Sequence, residues 1–107
     1  MRVEITEMIW FDEHAVTLQE LSELCGLPLP LLDELVGAGA IEPLQPAASE
    51  PRFGAQALTA ARAASRLRQD FELDSPALLL ALGLLDRVHE LERQVSALRA
   101  RLPGTIR

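Results

Sequence analysis

The stretch "TLQELSELCGLPLPLLDELVGAGAIEP", residues 17–43, decides the fold. Thr17 and Glu20 have the S/T-x-x-E spacing of a capping box, in which each residue satisfies an orphan donor at a helix start. Leu18, Leu21, Leu24 and Cys25 then recur at helical spacing on one face. Gly26 stands where the chain can leave that helix through a left-handed conformation. A second helix opens at Pro28 or Pro30, where a missing N–H costs nothing. Its inner face is Leu31, Leu32, Leu35 and Val36, and Gly37 and Gly39 stop it. Two short helices around a glycine turn are the outline of a helix-turn-helix. In a DNA reader of that outline the second helix enters the major groove and offers cations or amides to it. Here the outward positions carry Asp33 and Glu34.

Charge is distributed unevenly around this segment. No Lys or Arg occurs between Val3 and Pro51, against ten acids: Glu4, Glu7, Asp12, Glu13, Glu20, Glu23, Asp33, Glu34, Glu42 and Glu50. From Arg52 onward nine Arg face six acids, and the whole chain carries a net charge of −6. A surface like the first half repels nucleic acid and attracts a basic protein face. The chain of 107 residues is one small domain with an appended helix. Its hydrophobic fraction of 49% is ample for a packed core, and its Leu- and Ala-rich, aromatic-poor composition favours helices. No apolar run reaches the ~20 residues needed to cross a bilayer, and the N-terminus lacks the pattern of a secretory signal. The expected setting is therefore cytoplasmic, with no membrane association. The single Cys25 excludes an internal disulfide framework and reads as a small buried hydrophobe.

Before the helix pair, residues 1–16 form an N-terminal extension. Its "RVEITEMIWF", residues 2–11, alternates apolar and polar side chains with β-branched members, which predicts a short strand. After the pair, "EPLQPAASEP", residues 42–51, is a proline-rich loop running into "RF", a second short strand; together they outline a wing. A third helix is expected from Ala55 to Phe71, with Ala57, Leu58, Ala61, Ala64, Leu67 and Phe71 inward. Arg62, Arg66 and Asp70 lie opposite, Arg66 and Asp70 as an exposed ion pair. The head thus spans residues 17–73. A long helix covers 74–102, capped by Ser75 or Asp74 with Pro76 in the first turn, and 103–107 are a tail. Along that helix Ala81, Leu84, Val88, Leu91, Val95, Leu98 and Leu102 alternate in spacings of 3 and 4. Such a seam predicts a coiled coil with a second chain, most simply a homodimer, whose interface is Leu84, Val88, Leu91, Val95, Leu98 and Leu102. The alternative is one amphipathic helix folded back on its own head.

Catalysis finds little support. His14 and His89 stand apart, neither in metal-ligand spacing with Cys25 or an acid. No P-loop, glycine-rich phosphate cradle or CxxC pair occurs. The expectation is a non-enzymatic protein with no cofactor and no metal.

The order helix pair, proline-rich wing, "RF", helix and terminal coil resembles the MerR-type winged helix-turn-helix. In those regulators the second helix and wing supply cations to phosphates and base edges. Only Arg52 stands near the matching positions here, beside a crowd of carboxylates. Within that superfamily, "GLPLPLLDELVGAGAIEP", "RF" and "AARAASRLRQDFELDSPALLLALGLLDRVHELE" together resemble the bacterial chaperone-modulator, CbpM-like family, over residues 17 to 102. The most telling segment is "RLRQDFELDSPALLLALGLLD", residues 66–86, and the specificity lies in the order of its parts after an acidic helix-turn-helix.

The resemblance implies a mostly helical MerR-like head with a dimerising C-terminal coiled coil. It also implies a partner: the J-domain of a DnaJ/CbpA-like co-chaperone, whose stimulation of an Hsp70-type chaperone would be inhibited. J-domains present a basic helix to an acidic face of Hsp70, and an acidic competitor fits the same surface. Candidate contacts are Asp33 and Glu34 on the former reading helix, or Arg66, Asp70, Asp74 and Asp86 on the later helices. One member of the run Leu78–Leu79–Leu80, with Leu78 as the candidate, is expected to anchor a partner or a dimer mate. A MerR-type DNA-binding regulator is the second reading, and a bare dimerisation module the third. Val and Leu at the seam favour parallel pairing, whereas MerR-like dimers cross their coils antiparallel.

Overall fold

The computed structural model describes residues 5–45 and 49–103. Five helices follow one another: α1 (Ile5–Glu13), α2 (Leu18–Cys25), α3 (Leu29–Gly37), α4 (Ala55–Phe71) and α5 (Ser75–Arg101). The architecture is a helical helix-turn-helix head with a long C-terminal helix, as the pattern of the sequence requires.

The capping box forms as the spacing dictates. The Glu20 N–H donates to Thr17 Oγ1 at 3.1 Å, and the Thr17 N–H donates to Glu20 Oε1 at 2.8 Å. Hydrogen bonding from the Thr17 N–H first, and from the Thr17 side chain second, holds the Glu20 carboxyl below its ordinary pKa. Gly26 closes α2 at φ 69°, its N–H donating to the Ser22 carbonyl at 2.9 Å. A side chain at that φ would be strained, so glycine is required there. α3 begins at Leu29, after Pro28, and buries Leu32 and Leu35 with Leu31 and Val36 half-covered beside them.

Leu21, Leu32, Leu35, Ile41, Phe53, Leu58 and Leu78 are the large side chains sealed at the centre. α4 lays Ala57, Leu58, Ala61 and Ala64 against them. Small residues there let neighbouring helices approach closely. α5 joins the same core through Leu78 and Leu82, so its first turns belong to the head. From Gly83 onward its residues are exposed apart from the half-buried Glu90. At ~1.5 Å per residue, 27 helical residues extend about 40 Å. That projection accounts for a molecule 50 Å long and 25 Å thin.

Four expectations are corrected. Residues 5–13 of the extension are helix and not strand; residues 2–4 of that reading lie outside the described residues. The apolar–polar alternation met no strand to pair with. As a helix the segment instead sends Phe11 into the core and Asp12 to the start of α4, and tertiary contacts override a local pattern of this kind. The "RF" strand is reduced to one antiparallel bridge, in which Val16 and Phe53 exchange N–H···O bonds of 3.0 and 2.8 Å. Two flanks of the proline-rich segment meet beside it, where the Leu44 N–H donates to the Arg52 carbonyl at 2.8 Å; residues 46–48 of that reading lie outside the described residues. Leu24 and Phe71 are exposed rather than inward. Leu24 sits at the rim of the face centred on Leu21 and Cys25. Phe71 is the last residue of α4, past the turns that reach the core, and Glu72 reverses the chain at φ 53°.

Asp12 has a second role. α4 starts at Gly54, which offers no side chain to cap its N–H groups, and Asp12 Oδ1 accepts from the Ala55 N–H at 3.1 Å. A Cβ on Gly54 would fall 2.7 Å from that oxygen, so the glycine makes room for a cap supplied from another helix. Replacing Asp12 by Ala removes the acceptor and is expected to lower stability by about 1 kcal/mol. Urea unfolding of Asp12→Ala beside the parent chain measures it, and Asp12→Asn should recover most of the loss.

Candidate partner-binding site

α3 presents its apolar stripe to the core and Asp33 and Glu34 to water. The two carboxylates behave differently. Glu34 Oε1 accepts from the Ser75 hydroxyl at 3.1 Å, at the first residue of α5. Asp74, the N-cap of that helix, accepts from the Ala77 N–H through Oδ1 at 3.0 Å. Both oxygens therefore lie at the positive end of the α5 dipole, where negative charge is favoured. The structure thus brings Glu34 and Asp74 together and leaves Asp33 beside them on the outer face of α3.

Arg66 and Asp70 are not part of that group. Arg66 Nε lies 3.6 Å from Asp70 Oδ2, one turn apart on α4 and both exposed. A surface pair of this type contributes a few tenths of a kcal/mol at most. Asp86 is exposed on α5 past the point where that helix leaves the head. Of the acidic candidates, Glu34 and Asp74 serve the fold while remaining accessible, and Asp33 and Asp86 are displayed.

The run Leu78–Leu79–Leu80 resolves differently from the expectation. Leu78 is 0% exposed and belongs to the core, so it cannot anchor a partner. One helical residue turns 100°, which carries Leu80 to the opposite side, and there it is 65% exposed. Leu80 lies one turn before Leu84 and so extends the seam toward the head. Leu84, Val88, Leu91, Val95, Leu98 and Leu102 themselves are 43–59% exposed, and the head does not fold back over them.

Among the described residues no cluster of His, Cys, Asp and Glu could hold a metal ion. Burial pushes the Cys25 thiol above its ordinary pKa, the nearby Arg62 opposing this only in part. That keeps the sulfur protonated and unreactive at neutral pH. No described helix is long and apolar enough to cross a membrane. Sequence reasoning missed Leu80 as the exposed member of its run. It also missed the tie between Glu34 and Ser75. The first was signalled by three consecutive leucines, which no one helix face can bury; the second had no local signal, because its partners lie 41 residues apart.

Residues 16–100 match the family described as MerR HTH family regulatory protein. The chaperone modulatory protein CbpM of Escherichia coli (strain K12 / DH10B) is 33% identical over 85 residues, covering 77% of this chain and 84% of that protein. CbpM of Shigella boydii serotype 18 matches with the same identity and coverage. Both descriptions are of non-enzymatic kinds. The matched family segment begins after α1, so the helix that caps α4 lies outside it.

Core and seam make opposite demands on Leu78 and Leu80. Truncation of Leu78 to Ala should cost about 2–5 kcal/mol in urea unfolding. The same change at Leu80 should cost less than about 1 kcal/mol. Equal losses would contradict the assignment of the two faces.

Proposed function

This chain belongs to the CbpM-like chaperone-modulator family within the MerR-type helix-turn-helix superfamily, and from that premise we propose that it binds the J-domain of a DnaJ-like co-chaperone and lowers its stimulation of an Hsp70-type chaperone. The observation that carries this reading is the outer face of α3. Asp33 and Glu34 stand where a DNA reader of this fold requires cations, with Asp74 beside them at the start of α5. Carboxylates facing phosphates subtract from affinity, and a protein that neutralises several phosphates needs several Lys or Arg. The same carboxylates complement a basic helix, steer its approach and suppress unlike partners. The protein acts by occupancy, with no catalysis and no cofactor.

Dimerisation is the second part of the proposal. An exposed stripe from Leu80 to Leu102 exceeds what scattered surface leucines explain, and a second copy of α5 offers the matching stripe. Two heads on one coil would hold two acidic faces in a fixed relation, which raises avidity for a partner that itself self-associates.

Two measurements test the two parts. With a purified J-domain in isothermal calorimetry, the parent chain should bind with an affinity that falls as salt rises. Asp33→Lys combined with Glu34→Lys should weaken binding by about tenfold or more. A duplex-DNA shift that disappears steeply with salt, in the absence of J-domain binding, would instead support a MerR-type regulator. In sedimentation equilibrium, Val88→Asp with Val95→Asp should convert a dimer to a monomer, because two carboxylates from each chain cannot be desolvated in the seam. A parent chain already monomeric would remove the coiled coil.

A further inference from the structure

α1 carries an apolar surface that the fold does not use. At 100° per residue, Ile5, Met8, Ile9, Trp10 and Phe11 point to all sides of a helix nine residues long. A helix apolar all round belongs in an interior, yet only Phe11 is buried. Ile5 is 74%, Ile9 54% and Trp10 49% exposed. The Trp10 indole is held in place without being covered. It stacks on the His14 imidazole with centroids 4.7 Å apart, and meets the Phe11 ring edge-on at 4.9 Å. The exposed Leu44 adds to this surface from the loop after α3. A Cβ at Gly54 would lie 2.7 Å from Asp12 Oδ1 and 3.0 Å from Leu44 Cδ2, so the Leu44 side chain sits beside the C-terminal turn of α1.

α1 itself carries acids and no Lys or Arg, while the Arg52 backbone pairs with Leu44 at the edge of this surface. Glu13 lies four residues after Ile9 and three after Trp10, on the same outward side, and no Lys or Arg occurs between Val3 and Pro51. We propose that the outer face of α1, with Leu44, docks a cationic amphipathic helix of a protein partner. The apolar side chains supply burial and Trp10 a rigid anchor of the kind that dominates interface energies. Glu13 meets the partner's Lys or Arg. A membrane surface is disfavoured because interfacial helices bind anionic lipids through Lys and Arg on their polar face, and α1 has neither. A second copy of α1 is disfavoured because it offers no Lys or Arg to Glu13, whose charge would be covered without a partner.

This inference rests on the J-domain reading, since the basic helix used to test it is that domain's. Trp10 is the only tryptophan of the chain, so its emission reports on this face directly. Adding a tryptophan-free J-domain to the full-length protein should shift that emission to the blue. Ile9→Glu and, independently, Glu13→Lys should each weaken calorimetric affinity by about tenfold, with far-ultraviolet circular dichroism unchanged. A J-domain that binds with Trp10 emission and both variants unaffected overturns this proposal and leaves the α3 reading standing. No binding by the parent chain overturns both. A change of oligomeric mass in Ile9→Glu, or a blue shift with anionic phospholipid vesicles in place of the J-domain, gives the surface to another occupant and also overturns it.

Discussion

No element of this protein can bury its own apolar side, and the fold depends on one shared interior that all of them enter. Leu21 comes from α2, Leu32 and Leu35 from α3, Phe53 from the segment before α4, Leu58 from α4 and Leu78 from α5. Helices of eight and nine residues are marginal in water by themselves. Their stability therefore comes from the common core, and the two glycine turns are what let them reach it. The same interior limits what α5 can contribute to the head. After Leu82 there is no core left to enter, and the apolar stripe of the remaining helix stays exposed.

Carboxylates divide into two populations around that core. Glu20 caps α2, Asp12 caps α4 from a distance, and Asp74 with Glu34 serves the start of α5. Each sits at a helix N-terminus, where the unpaired N–H groups and the dipole favour negative charge. These acids stabilise the fold whether or not a partner is bound. Glu13, Glu23, Asp33 and Glu42 are exposed away from such positions, and this second population is fully available to a cationic partner of the kind proposed. The sum of −6 conceals the distinction. A protein could carry the same net charge entirely in caps and have no acidic face to offer.

Much of the head was legible because its signals are local. Thr17 with Glu20, Gly26, and the Ala55–Phe71 pattern are each read within a few turns, and the structure realises them at the expected residues. The seam on α5 was legible for the same reason: periodicity identifies a stripe whether or not its partner is present. What escaped the sequence is long-range. The alternation at residues 2–11 reads as strand until Asp12 and Phe11 are seen to have destinations on α4 and in the core, 43 residues away in the case of Ala55. Leu78 and Leu80 have the same residue type and nearly the same neighbours, and only the position of α3 and α4 decides which is sealed. Arg66 and Asp70 read from the sequence as an exposed i, i+4 pair, and the structure holds them 3.6 Å apart.

The way α5 is attached bears on how a dimer would present its heads. Glu34 holds Ser75 and Asp74 caps Ala77 at the first turn of α5, and Leu78 is sealed in the core, so the helix cannot pivot at its root without breaking a buried contact. Acidic α3 is thereby fixed relative to the seam: the residue that bonds Ser75 is the neighbour of Asp33, and the seam begins five residues after Ser75, at Leu80. A flexible tether would let two heads sample every separation and lose most of the gain in effective concentration. A rigid helix whose apolar stripe starts at the head confines them to one. In the proposed dimer, burial of Leu78 would thus have a consequence well beyond the stability of one domain, because it would transmit the geometry of the coil to the acidic face.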